Sequence, residues 1–126
     1  MTIAVKPALL IVVTLASTVY AQLALKKQML LAGALPESLS GKIGFLATNM
    51  FSFWVISAWV ALFICGVSWM ATLTMLDLSK AYPFMGLTFF LIPAFSALFF
   101  GEPLTLSKLL GAGIIVVGII VATAFD

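Results

Sequence analysis

Phe53 to Leu76 reads FWVISAWVALFICGVSWMATLTML, a run without one charge. About 20 apolar residues carry a helix across the hydrocarbon core of a bilayer, so this stretch alone predicts a membrane span. Uncharged runs also cover Pro7 to Leu25, Ala81 to Phe100 and Leu109 to Phe125, the last able to begin near Leu104. In lipid every backbone amide needs a partner within its own segment, which leaves helices or a closed barrel. The runs lack the apolar-polar alternation of barrel strands. The expected fold is therefore an all-α integral membrane protein: one domain over residues 1–126, with transmembrane helices at about 7–27, 53–76, 80–100 and 104–125.

Composition agrees and narrows the chemistry. Hydrophobic residues make up 64% of the chain and charged residues 8%, against roughly 25% charged in soluble domains. Histidine is absent, Cys65 is the one cysteine, and the acids Glu37, Asp77, Glu102 and Asp126 are scattered. One chain can build neither a disulfide nor a metal cluster from these. Phosphate loops, nucleophile elbows and redox motifs are missing too, so the expectation is a protein that is not an enzyme, with no cofactor, no metal and no nucleic-acid partner. Lys6, the first apolar run and Val19-Tyr20-Ala21 have the outline of a secretory signal and its cleavage site, but Lys26-Lys27 directly after it fits a helix end better. Lys6 and Lys80 fall on one side of the membrane and Lys26, Lys27, Lys42 and Lys108 on the other, which favours a cytoplasmic first loop. That margin shrinks to one lysine if Lys26 works inside the membrane.

The first loop, about 28–52, is the long connection, and its second half from Ile43 to Phe51 is apolar enough either to lie in the interface or to extend the second helix. Asp77-Leu78-Ser79-Lys80 is short, making its flanking helices antiparallel neighbours. Ser79 is a candidate N-cap, with Pro83 in the first turn, where a missing amide costs little. Pro93 is mid-span and predicts a kink or hinge. Gly101-Glu102-Pro103 forms the last turn and Thr105 can cap the helix beyond it. On that helix Gly111, Gly118 and Ala122 make a stripe that admits close helix approach, either to a second copy as a dimer interface or to a helix of the same chain.

Polar residues inside the spans are the functional candidates, because an unpaired one in lipid costs a few kcal/mol. Thr14, Thr18, Gln22 and Lys26 form a ladder at four-residue spacing. Each step drifts by roughly 40°, so the ladder winds gently around the helix. Lys26 can equally be a helix-end anchor beside Lys27, and the two threonines can bond back to their own helix. Tyr82 opens the third helix as either a substrate contact or an interfacial aromatic. Trp54, Trp59 and Trp69 read as lipid-facing, since a cation cage would lack a carboxylate. Asp77 and Lys80 can form a surface pair, and Glu102 can complement a helix dipole.

Ala81-Tyr82-Pro83-Phe84-Met85, Phe99-Phe100-Gly101-Glu102-Pro103-Leu104-Thr105 and the segment Gly111 to Gly118 resemble the final two helices of the drug/metabolite transporter superfamily. The size resembles its smallest members, the small multidrug resistance proteins and the paired subunits that flip aminoarabinose-phosphoundecaprenol. The exporters carry a membrane-embedded glutamate two turns before a first-helix lysine; aligned on Lys26, that position is Thr18. Ala21-Gln22-Leu23-Ala24-Leu25-Lys26 instead resembles the Gln-Leu-x-x-Lys pattern of the flippase subunits, which also read Ala-Tyr-Pro where exporters have Ala-Tyr-Ala. The loop from Gly33 to Asn49 departs from the family.

The resemblance implies a multi-pass bacterial inner-membrane transporter subunit, a homodimer or a heterodimer with a paralogous small subunit, that moves a polyprenyl-phosphate-linked sugar or similar anionic lipid between leaflets. Lys26 would hold phosphate, with Gln22, Thr18, Thr14 and Tyr82 around the head. Asp77, Lys80, Pro93 and Glu102 are the candidates for coupling or gating. A groove with lysine, amide and hydroxyl donors and no carboxylate suits an anion on physical grounds as well. The alternatives are an exporter of small metabolites or cationic drugs, with Asp77 or a partner subunit supplying the coupling acid, and a non-transporting scaffold for a membrane glycosyltransferase.

Overall fold

The computed structural model describes residues 5–125 and places Asp126, one of the scattered acids, outside the described residues. The chain forms α1 (Val5–Ala32), α2 (Leu39–Asn49), α3 (Phe53–Leu73), α4 (Leu78–Met85), α5 (Thr88–Phe100) and α6 (Leu106–Ala124). Among the described residues, helices long and apolar enough to cross a membrane number four, with α4 and α5 together making the third span, Leu78–Phe100. No strand occurs among the described residues.

α1 runs further at both ends than its uncharged core. Its 28 residues rise about 42 Å, more than the ~30 Å of hydrocarbon. Lys6 and Lys26 lie about 30 Å apart along the axis at 1.5 Å per residue, so they bracket that core. Gly33 ends the helix at φ 89°, and Gly101 ends α5 at φ 66°, a left-handed conformation that glycine adopts without steric cost. Thr105 caps α6 by accepting from the Lys108 amide at 3.3 Å. The first turn of α4 begins earlier than Ser79 would set it: Asp77 occupies the cap position, and its carbonyl accepts from the Lys80 and Ala81 amides at 3.0 Å each.

The third span is interrupted at Gly86–Leu87, about two turns before Pro93. Here tighter i→i+3 bonds take over: Gly86 N–H donates to the Pro83 carbonyl (3.0 Å) and Leu87 N–H to that of Phe84 (3.1 Å). The freed Met85 carbonyl accepts from the Thr88 hydroxyl at 2.7 Å. Gly86 also admits α6, since a Cβ there would sit 3.1 Å from Ile119 Cδ1 and 3.0 Å from the Pro83 carbonyl. Pro93 itself lies within the continuous helix α5.

Two antiparallel hairpins result. α1 packs along α3 through a core of Ala21, Ala24, Ala58 and Ala61, with Leu25, Trp54 and Leu62 beside it. Small side chains let the two backbones approach, the usual basis of helix association in lipid. α6 packs against α4 and α5; Ala81 of α4 and Ala112 and Thr123 of α6 are buried, while α5 has no buried residue. The hairpins meet chiefly where α1 faces α5.

Candidate functional site

The α1–α3 seam carries hydroxyl bonds at successive levels. Thr14 is fully buried, donates to the Leu10 carbonyl (2.8 Å) and shares a 2.7 Å hydroxyl pair with Ser68. One turn on, Thr18 donates to the Thr14 carbonyl (2.8 Å) and lies 3.2 Å from Cys65 Sγ. Tyr20 donates to Ser57 Oγ at 2.9 Å. At the end of the seam, Gln28 Nε2 donates to Asn49 Oδ1 at 2.7 Å.

The polar ladder therefore divides. Thr14 is consumed by the seam and Thr18 is half-buried beside it, whereas Gln22 and Lys26 are exposed. The drift of roughly 40° per step explains the division: starting from a residue aimed at α3, three steps turn the side chain about 120° away from it. Gln22 makes no side-chain hydrogen bond among the described residues, and an amide facing lipid in that state favours any partner that can bond it. Lys26 reaches across to the α5–α6 turn, where its Nζ lies 3.7 Å from Glu102 Oε1; both side chains are nearly half-exposed.

Below this pair lies the gap between the hairpins. A cleft of about 330 Å³ is lined by Tyr20, Leu23, Ala24, Lys27, Trp54, Phe99 and Phe100. A second, of about 440 Å³, shares Tyr20, Leu23 and Phe99 with it and continues along Val19, Leu15 and Val12 of α1 and Leu91 and Phe95 of α5. The two form one apolar channel, open on its side, that spans about 22 Å of α1 and ends at Lys27; Lys26 and Glu102 are not part of its lining. Lys27 and Tyr20 escape a search for intramembrane polar residues. Their signal is positional: Val12, Ala16, Val19, Leu23 and Lys27 recur at three and four residues, one face of a helix.

Tyr82 lies elsewhere. Its ring meets Trp69 edge-on at 6.2 Å, and Trp69 neighbours Ser68, which is level with Thr14. That places Tyr82 about 18 Å from the level of Lys26, near the other membrane face with Asp77 and Lys80. Asp77 and Lys80 are both exposed. On α6, a Cβ added at Gly111 or Gly118 would meet no atom of this chain within 4 Å, and Ala122 is exposed. No contact among the described residues fills the small-residue stripe. Among the described residues no three His, Cys, Asp or Glu side chains come together to hold a metal.

The chain is similar to lipid-linked sugar flippase subunits. Over 70 residues it is 39% identical to "Probable 4-amino-4-deoxy-L-arabinose-phosphoundecaprenol flippase subunit ArnE" of Aeromonas salmonicida, a match covering 56% of this chain and 61% of that protein. The protein of the same name from Hamiltonella defensa is 42% identical over 52 residues, or 41% of this chain and 47% of the relative. That from Yersinia pseudotuberculosis is 37% identical over 67 residues, covering 53% and 59%. The matches thus span between about half and three-fifths of these relatives. No protein-family model matches the chain, and no solved structure does.

Proposed function

We propose that this chain is a subunit of a bacterial inner-membrane flippase that carries a polyprenyl-phosphate-linked sugar, or a similar anionic lipid, between leaflets, and that it is no enzyme. The observation that carries the reading is the channel: apolar for about 22 Å, open to the bilayer, and ending at Lys27, with Lys26 as its chain neighbour at headgroup depth. An apolar tail can stay in the cleft or in surrounding lipid, so only the phosphate and sugar need polar partners. The similarity to named flippase subunits supports the same substrate class.

In this reading Lys26 exchanges Glu102 for the phosphate, a charge-assisted contact stronger than a neutral hydrogen bond. Lys27 adds positive charge at the mouth, and Gln22, one turn deeper and unpartnered, receives the head as it enters. Thr18 borders that path, while Thr14 acts through the seam that holds Thr18 in place. Tyr82 and Lys80 meet the head at the opposite face. The bend at Gly86–Leu87, with Pro93 beyond it, supplies the flexibility for the third span to move against α1. A second copy or a paralogous subunit encloses the open side; the unfilled stripe of Gly111, Gly118 and Ala122 supports such a contact.

The test is binding of an undecaprenyl-phosphate lipid to purified wild-type and Lys26→Ala protein by native mass spectrometry, with a quaternary ammonium compound as competitor, paired with leaflet exchange in vesicles. Lysine-dependent binding that the cation cannot displace, with exchange lost in Lys26→Ala, is expected. Unchanged exchange in a correctly inserted Lys26→Ala protein overturns the proposal, and preferential cation binding moves the function to small-molecule export.

A further inference from the structure

α2 is a folded helix that the channel does not use. Its N-terminus is capped by the Ser38 side chain, which accepts from the Gly41 amide at 3.1 Å. Its C-terminal end is tied to α1 by the bond between Asn49 and Gln28, one residue beyond Lys27 of the channel mouth. After Asn49 the chain enters the membrane again at Phe53. The element is thus fixed beside the mouth, at the depth where two spans meet the headgroups.

Leu39, Ile43, Leu46 and Met50 share one face at four- and three-residue spacing. They are 74%, 61%, 48% and 48% exposed, and no residue of α2 is buried. Gly41, Gly44 and Thr48 occupy the opposite face, and the exposed Lys42 lies on the flank. An 11-residue helix containing two glycines is below the length that persists in water, and most helical stability comes from burying an amphipathic face. Nothing among the described residues buries this one.

We propose that α2 lies in the plane of the bilayer at the lipid–water boundary, with Leu39, Ile43, Leu46 and Met50 among the upper acyl chains and Lys42 among anionic headgroups. The partner is the same membrane that the spans cross. Apolar burial and attraction of a basic flank to anionic lipid are the forces that bind interfacial helices. Through Gln28 and Asn49, α2 then sets the depth at which Lys26 and Lys27 present themselves. This inference is independent of the flippase reading, since no α2 side chain lines the channel.

The test uses the full chain with Cys65→Ala as background and single variants Ile43→Cys, Leu46→Cys, Gly44→Cys and Thr48→Cys. Space is open at Gly44, where an added Cβ meets no atom within 4 Å. Each variant is labelled with an environment-sensitive fluorophore and reconstituted in vesicles containing phosphatidylglycerol. Iodide should quench the labels at 43 and 46 several-fold less than those at 44 and 48, and a shallow doxyl-labelled lipid should reverse the order. Equal iodide quenching on both faces would mean a water-solvated helix and overturn the proposal. Labels at 43 and 46 shielded from both quenchers would mean a protein partner and overturn it as well. Two positions on each face keep the comparison open if one variant fails to insert.

Discussion

The α1–α3 hairpin and the hairpin of α4, α5 and α6 are built from similar apolar sequence, yet they pack very differently. In the first, four alanines close a core and hydroxyl bonds stitch the helices at successive levels. In the second, α5 buries nothing and leaves an open channel against α1. Lipid tails are as apolar as leucine, so a leucine-rich face gains little by leaving lipid for another helix. Alanine and hydroxyl residues commit a helix to protein contact; leucine and phenylalanine leave it available to lipid. The seam is the frame, and the channel is where a lipid-like molecule can enter without displacing packed protein.

The largest effect should come from enlarging an alanine on each side of this contrast. Ala58 is fully buried in the seam, whereas Ala16 is exposed and lines the channel. Ala58→Leu should destabilise the fold by about 1–3 kcal/mol through overpacking. Ala16→Leu should stay within about 0.5 kcal/mol of wild type, as exposed substitutions do. Ala16→Leu should instead weaken undecaprenyl-phosphate binding. Denaturation midpoints in mixed micelles, measured beside lipid affinity, check both. Equal destabilisation by the two variants would erase the distinction between frame and channel.

A smaller effect is expected at the bridge joining the two hairpins. In the proposed function Glu102 competes with phosphate for Lys26, which predicts that Glu102→Gln tightens lipid binding. Half-exposed pairs of this kind are worth about 0–1 kcal/mol, which limits the gain to about fivefold. Titration of the lipid into both proteins at matched salt measures it. A loss of affinity would show instead that Glu102 positions Lys26 for the phosphate, and the two hairpins would then share one site with no competition inside it.

How much of this could be read from the chain differs by region in the same way. The spans are legible because an uncharged run of 20 residues has few other uses, and Thr105 as a cap follows from local chemistry. The winding of the ladder is legible as an angle, but its meaning depends on where α3 lies. Only the fold shows that Thr14 is spent on Ser68 while Lys26 reaches Glu102. The channel is formed by α1 and α5, far apart in sequence, and Leu, Val and Phe on its walls look like any lipid-facing surface. Pro93 draws attention in the third span, yet the interruption lies at Gly86–Leu87, where Thr88 and Ile119 decide the geometry. α2 is flagged by its apolar residues, but its closure under Ser38 and its tie to Gln28 need the structure.

The smallest effect distinguishes what holds the frame together. Thr14 and Ser68 form the most buried side-chain bond of the seam, at 2.7 Å, and a first reading would make it the chief clamp. Each hydroxyl also has a carbonyl of its own helix within reach, Thr14 that of Leu10 at 2.8 Å and Ser68 that of Cys65 at 3.0 Å, and with one proton apiece the two hydroxyls make two of these three contacts at a time. Breaking the pair returns each hydroxyl to its own helix, a state equally available when the helices are apart in the membrane. Interhelical bonds in lipid average about 0.6 kcal/mol for this reason. A double-mutant cycle of Thr14→Val and Ser68→Ala should give a coupling near that value, well below the cost of Ala58→Leu. A coupling above about 2 kcal/mol, beyond the usual range of such bonds, would mean that hydroxyl pairing and not alanine packing holds α1 to α3.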